Sequence, residues 1–252
     1  MTLSCQLICE NTRSMPKTNS PIPQRKKTLT AWLSGLLAVA FVAMGLVPAG
    51  LSFAGLTDFS PGLITWASAK FGREAPNRLM VWQRLVRDTR PAVEASNPNA
   101  GQTLRRANEF FNQVPYYNDI KHWGMDDYWA TPVEMLGTFG GDCEDYSIAK
   151  YLTLKDLGIP IERLRITYVR ALNLNESHMV LAYYPQPDAD PLILDNLIGD
   201  IRPASQRPDL QPVYSFNDDD LWLPSGLTRK GGAGNVRLWQ GLLQKLAKEQ
   251  AL

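Results

Sequence analysis

Histidine, cysteine and excess charge are what this chain has least of. Its 252 residues include two histidines and three cysteines, and 26 Lys plus Arg stand against 25 Asp plus Glu for a formal charge of +1. Three cysteines do not make a disulfide framework. Without an excess of either sign there is no global field to draw in nucleic acid or anionic lipid, so no nucleic-acid partner is expected. Nothing in the chain reads as an internal repeat or a low-complexity tract. What is present is an apolar fraction of 44% with 20% charged residues. That composition suits one sizeable core, and one compact domain with an N-terminal appendage is expected.

The appendage has the layout of an export signal. Arg25-Lys26-Lys27 precedes an uncharged stretch from Thr28 to Thr57. Its densest part, Leu33 to Val47, is about fifteen residues long, the length of a signal core. Pro48 and Gly50 interrupt it, and Ser52-Phe53-Ala54 offers small residues where a signal peptidase prefers them, so cleavage is expected after Ala54. An uncleaved anchor is the competing reading, because Thr28 to Leu51 is long enough to span a bilayer. Met15 is an alternative start. On either reading residues 1–54 are leader and residues 55–252 form the domain, which faces the far side of the inner membrane, in the periplasm. Cys5 and Cys9 lie ahead of the signal core. The domain then holds one cysteine, Cys143, either a buried apolar residue or a reactive thiol.

Helical spacing is read at Pro61 to Phe71, at Pro76 to Asp88 and at Asn99 to Val114, which Pro115 ends. Tyr116 to Pro132 reads as a structured aromatic loop leading to a short helix at Pro132 to Leu136. Cys143 to Leu157 is the best-defined helix, stopped by Gly158 and Pro160. Strands follow at Leu164 to Leu172, Ser177 to Tyr184, Pro191 to Leu197, Val213 to Phe216 and Leu221 to Leu223. A closing amphipathic helix is read at Val236 to Ala251. Helices followed by an antiparallel sheet make an α+β fold.

Chemistry concentrates where the cysteine heads its helix. Cys143 directly follows Gly140-Gly141-Asp142, so unpaired backbone N–H groups and the positive end of the helix dipole would lower its pKa and could hold an oxyanion. Of the two histidines, His178 lies near the start of a strand and shares a face with Val180, Ala182 and Tyr184. His122 sits in the aromatic loop, where a surface or hydrogen-bonded role is read. Asp195 ends an apolar strand, and a carboxylate there needs a partner such as an imidazole N–H. Asp142, Glu144 and Asp145 crowd the cysteine and would disfavour a thiolate. They are helix-capping acids or oxygen ligands of a hard cation. Trp129 reads as core packing more than as an oxyanion neighbour, and Asn217-Asp218-Asp219-Asp220 as a solvated turn.

Gly140-Gly141-Asp142-Cys143-Glu144-Asp145-Tyr146, with Ser177-His178-Met179-Val180-Leu181 and Leu194-Asp195-Asn196, resembles the bacterial transglutaminase-like cysteine proteinases of the LapG type over roughly Asn99 to Leu223. The resemblance implies a papain-like fold, with a cysteine-headed helix packed on an antiparallel sheet. It implies Cys143 as nucleophile, His178 as general base and acid, and Asp195 as orienter. It further implies calcium dependence through the acids flanking the cysteine: Asp142 and Glu144, with Asp145 as a third candidate. The partners it implies are a large surface adhesin, cut near its N-terminus to disperse biofilm, and an inner-membrane cyclic-di-GMP receptor that holds the protease back. Two rivals share the residues: acyl transfer to an amine on the same triad, and a catalytically silent periplasmic binding module.

Overall fold

Helix starts in this chain are written in short polar residues ahead of prolines. Ser60 accepts from the Leu63 N–H at 2.9 Å and Pro61 takes the first position of α1 (Pro61–Phe71), where its missing N–H costs nothing. Thr131 accepts from the Glu134 N–H at 3.0 Å, and Glu134 accepts from the Thr131 N–H at 3.0 Å. This capping box opens α5 (Pro132–Thr138). In the computed structural model, residues 55–95, 100–223, 226–229, 234 and 236–252 are described. The expected export signal or anchor, residues 1–54, lies outside them. Among the described residues no helix is long and apolar enough to cross a membrane.

The remaining helices are α2 (Ala75–Ala95), α3 (Ala100–Phe111), α4 (Asp119–His122), α6 (Cys143–Asp156) and α7 (Arg237–Gln250). Leu104, Ala107, Asn108 and Phe111 recur at helical spacing on α3 and are buried. Helix α6 is buried on every side through Thr153 and Leu154, because helices cover one flank and a sheet the other. Trp82 of α2 fixes its far end by donating Nε1–H to Thr153 Oγ1 at 3.0 Å. Helix α7 secures the loop before α5: Lys245 Nζ bonds Glu134 at 2.9 Å, and Thr131 Oγ1 bonds Glu249 at 2.6 Å.

Among the described residues seven strands form one antiparallel sheet: β1 (Leu164–Ala171), β2 (Glu176–Tyr183), β3 (Leu192–Leu194), β4 (Arg202–Pro203), β5 (Leu210–Phe216), β6 (Leu221–Leu223) and β7 (Gly226–Arg229). Their order is β4-β3-β2-β1-β5-β6-β7. The hairpin β1–β2 pairs Leu164 with Tyr183 through to Ala171 with Glu176. Alternation then divides its side chains. Leu164, Ile166, Met179, Leu181 and Tyr183 enter the main core with α6, whereas Val169, Val180, Ala182 and Ile193 form a second cluster. The α+β fold with a cysteine-headed helix against an antiparallel sheet is therefore the one the sequence implied.

Several boundaries differ. Helix α2 continues past Asp88 through Pro91. Helix α3 stops at Phe111 rather than Val114. Strand β3 ends at Leu194, which places Asp195 in the loop that follows. The run Asn217 to Asp220 is not a solvated turn: Asn217 and Asp220 are buried. Asn217 Oδ1 accepts from the Asp219 and Asp220 N–H groups at 2.9 Å each, and its Nδ2 donates to the Ile161 carbonyl at 2.8 Å. A side chain that satisfies that many backbone groups makes an inward Asx turn.

Candidate active site and metal centre

Close backbone approach places Cys143. A Cβ on Gly140 would come within 2.7 Å of the Tyr117 and His122 rings, and one on Gly141 within 2.7 Å of Asp145 Oδ2. Only glycine fits at either position. The Gly141 carbonyl accepts from the Tyr117 N–H at 2.9 Å, strapping residues 116–118 beside the cysteine. His122 stacks on Tyr117 with 5.5 Å between ring centroids, and its Nε2 bonds Thr138 Oγ1 at 2.9 Å. This is the hydrogen-bonded role read for it. Cys143 heads α6, is 8% exposed, and its Sγ lies 3.0 Å from Glu144 Oε2. The thiol donates to that carboxylate.

His178 and Asp195 meet directly. His178 Nε2 lies 2.8 Å from Asp195 Oδ1, with both residues buried. Burial raises the Asp195 pKa, but the His178 hydrogen bond, its charge, the Leu197 N–H and Arg207 outweigh it and hold the carboxyl down at about 2. An ionised carboxylate only accepts, so Nε2 carries the proton and Nδ1 of the neutral ring keeps its lone pair. Arg207, 2% exposed, donates Nη2–H to Asp195 Oδ2 at 2.7 Å and is itself held by Asp209 at 2.8 Å. Arg207 was not found by sequence reading. An arginine in a short Pro203–Pro208 loop carries no local sign that it faces a carboxylate.

The acids around the cysteine divide between two jobs. Asp145 serves the backbone: Oδ1 accepts from the Ala130 N–H at 2.7 Å and Oδ2 from the Asp142 N–H at 3.3 Å. Asp142 and Glu144 instead converge with Asp119, and one ligand oxygen from each of the three lies within 4.8 Å of the others. Asp119 arrives because Asn118 caps α4, accepting from the Lys121 N–H at 3.1 Å. Asp119 Oδ1, Asp142 Oδ1, Glu144 Oε1 and the neighbouring Asp127 Oδ1 are buried without a hydrogen-bond partner. Burial is the largest cause of the raised pKa of each. It takes Asp119 to about 6, Asp127 to about 7 with repulsion from Asp119, Glu144 to about 8 with Asp145, and Asp142 to about 11 with Glu144. Three converging carboxylates, each with an oxygen that has no donor, are the chemistry of a hard divalent cation such as calcium, which takes oxygen ligands alone. Asp119 and Asp127 escaped sequence reading because they lie a loop away, in the aromatic segment. Trp129 is 3% exposed and stacks on Phe216 at 5.8 Å, the packing role read for it.

A buried cysteine at a helix head and a His178–Asp195 pair are groups that a cysteine proteinase uses. Residues 84–215 match the family of bacterial transglutaminase-like cysteine proteinases, and the chain belongs to it. Its relatives among solved structures include LapG of Legionella pneumophila, at 38% identity, covering 73% of this chain and 96% of LapG, with a TM-score of 0.61. A calcium-bound form of that protein matches at 40% identity, covering 73% and 97%, with a TM-score of 0.61. An EGTA-treated form matches at 39%, covering 73% and 96%, with a TM-score of 0.63. No curated protein sequence matches this chain.

Proposed function

We propose that this proteinase is an exported, calcium-dependent endopeptidase with Cys143 as nucleophile, His178 as general base and acid, and Asp195 as the residue that orients the imidazole. The observation that carries the reading is the 2.8 Å bond from His178 Nε2 to an Asp195 held ionised. It fixes the tautomer and leaves Nδ1 as the base a thiol needs. In the reaction Cys143 gives its proton to His178 and its sulfur attacks the peptide carbonyl. The helix-terminal N–H groups receive the oxyanion, and His178 protonates the departing amine. Water, deprotonated by His178, then cleaves the thioester, restoring the thiol and releasing the acid. Asp119, Asp142 and Glu144 would hold calcium, with Asp127 beside them. When bound, the ion would supply positive charge to offset carboxylates that otherwise disfavour the thiolate. Calcium-bound and EGTA-treated structures of a relative support this reading.

On the same reading the chain works in the periplasm on the N-terminal region of a large surface adhesin, releasing it and dispersing biofilm. An inner-membrane cyclic-di-GMP receptor restrains it there. The test is cleavage of an adhesin N-terminal fragment with calcium, with a chelator, and by Cys143→Ala. Cutting that needs calcium and Cys143 and yields no isopeptide product is the expected result. Cutting by Cys143→Ala would end the proposal.

A further inference from the structure

The sheet has a cavity on the face that carries Val180 and Ala182. Its volume is about 500 Å³, within the range of small-ligand sites. The floor is apolar: Val169, Val180, Ala182 and Ile193 are each 6% exposed or less. Set in that apolar wall are two guanidinium groups, Arg165 and Arg207.

Both arginines carry an unanswered donor. Arg207 Nη1 and Arg165 Nε are buried and have no acceptor among the described residues. Arg207 spends its other nitrogens on Asp195 and Asp209. Arg165 lies between two rings, with its Cζ 4.0 Å from the Tyr184 centroid and 4.2 Å from that of Trp222. Rings on its flat faces fix the guanidinium plane and leave its N–H edge to donate. A buried N–H without an acceptor is costly, and two of them lining one apolar cavity call for an anion.

We infer that this cavity is a binding site for a carboxylate attached to an apolar body, recognised by Arg165 and Arg207. The carboxylate accepts from the two free N–H groups, and the apolar body covers Val180, Ala182 and Ile193. An acidic side chain flanked by apolar residues in a peptide and a free amphipathic acid present the same chemistry. Because Arg207 also holds Asp195, occupancy is felt at His178. The inference stands apart from the protease reading, since its test reads binding and not cleavage.

The experiment is calorimetric titration of the calcium-loaded protein with octanoate, with 1-octanol, and with the blocked dipeptide N-acetyl-glutamyl-leucine amide. Imidazole resonances are followed in parallel, and with only two histidines in the chain each is separately assignable. Octanoate should bind about tenfold or more tighter than octanol, the discrimination expected of a charge-assisted bond. It should shift the His178 signal and leave His122 in place. In Arg165→Met, at a position that makes no hydrogen bond to Asp195 or His178 among the described residues, the preference should fall to about threefold or less. Arg207→Lys is the companion variant, with circular dichroism to show that both fold. Tighter binding of octanoate than of the peptide assigns the site to a free acid, and the reverse assigns it to a peptide; either sustains the inference. Octanol binding as tightly as octanoate, or a preference that survives Arg165→Met, overturns it.

Discussion

Asp195 joins an imidazole, His178, to a buried cation, Arg207. One oxygen accepts from His178 and from the Leu197 N–H at 3.0 Å, and the other from Arg207. Replacing it with asparagine leaves Arg207 facing an amide, and removing one member of a buried ion pair costs about 3–5 kcal/mol. Asp195→Asn should therefore lower the urea-unfolding free energy by an amount of that order at pH 7. It should also depress turnover severely, because an amide no longer holds one imidazole tautomer. The pH dependence has a defined sign. A carboxyl held at about 2 against an unfolded value of 3.8 stabilises the fold above the unfolded value, and that contribution disappears as pH falls from about 4 to about 2. The deficit of Asp195→Asn should shrink over that window, and a constant deficit would contradict the ion-pair account. Cys143 at its helix head and the His178–Asp195 pair follow local cues in the sequence: glycines before a helix, scarcity, a strand end. Arg207 and Asp119 had none. Their contacts exist only once the turn after β4 has set Arg207 against Asp195 and α4 has set Asp119 beside Asp142 and Glu144.

Among the elements, α5 ends on a residue in an unfavourable backbone conformation. Its C-cap residue, Phe139, adopts φ +58°, a left-handed conformation that favours glycine, and it stands 40% exposed. What holds the ring is the Arg78 guanidinium, 5.2 Å from its centroid, an exposed contact worth about 0.5–1 kcal/mol. Relief of a left-handed bulky residue is worth about 1–2 kcal/mol. Phe139→Gly should thus raise stability by up to about 1 kcal/mol, seen as a higher denaturant midpoint at unchanged slope. A lower midpoint would mean that the ring does more than lie on Arg78. The same local physics decides which elements could be read in advance. Helix α6 and the β1–β2 hairpin stood out through their terminators and alternation, whereas α4, of four residues, depends on one Asn118 cap and has no periodicity to detect. Strand β4 has two residues and exists only through its pairing with β3.

For the whole molecule, the buried carboxylates make stability a function of pH, and on the proposed reading of calcium as well. In chelator, Asp119, Asp127 and Glu144 have folded pKa values raised to about 6, 7 and 8. A raised acid pKa means that the folded chain binds more protons than the unfolded one between the two values, so stability falls as pH climbs from about 4 towards 8. A bound cation reverses the trend, because its ligands must be ionised and its affinity rises as protons leave. Melting temperatures with saturating calcium and with chelator should therefore be close at pH 5 and diverge progressively to pH 8. Asp119→Asn, which removes one charge from the cluster, should raise the melting temperature in chelator and lower it in calcium. That opposition of sign separates a metal centre from a cluster of capping acids, since Asp145, spent on the Ala130 and Asp142 amides, should destabilise in both conditions when changed to asparagine. Parallel melting curves at every pH would leave the carboxylates without a cation and calcium dependence without a structural basis in this chain.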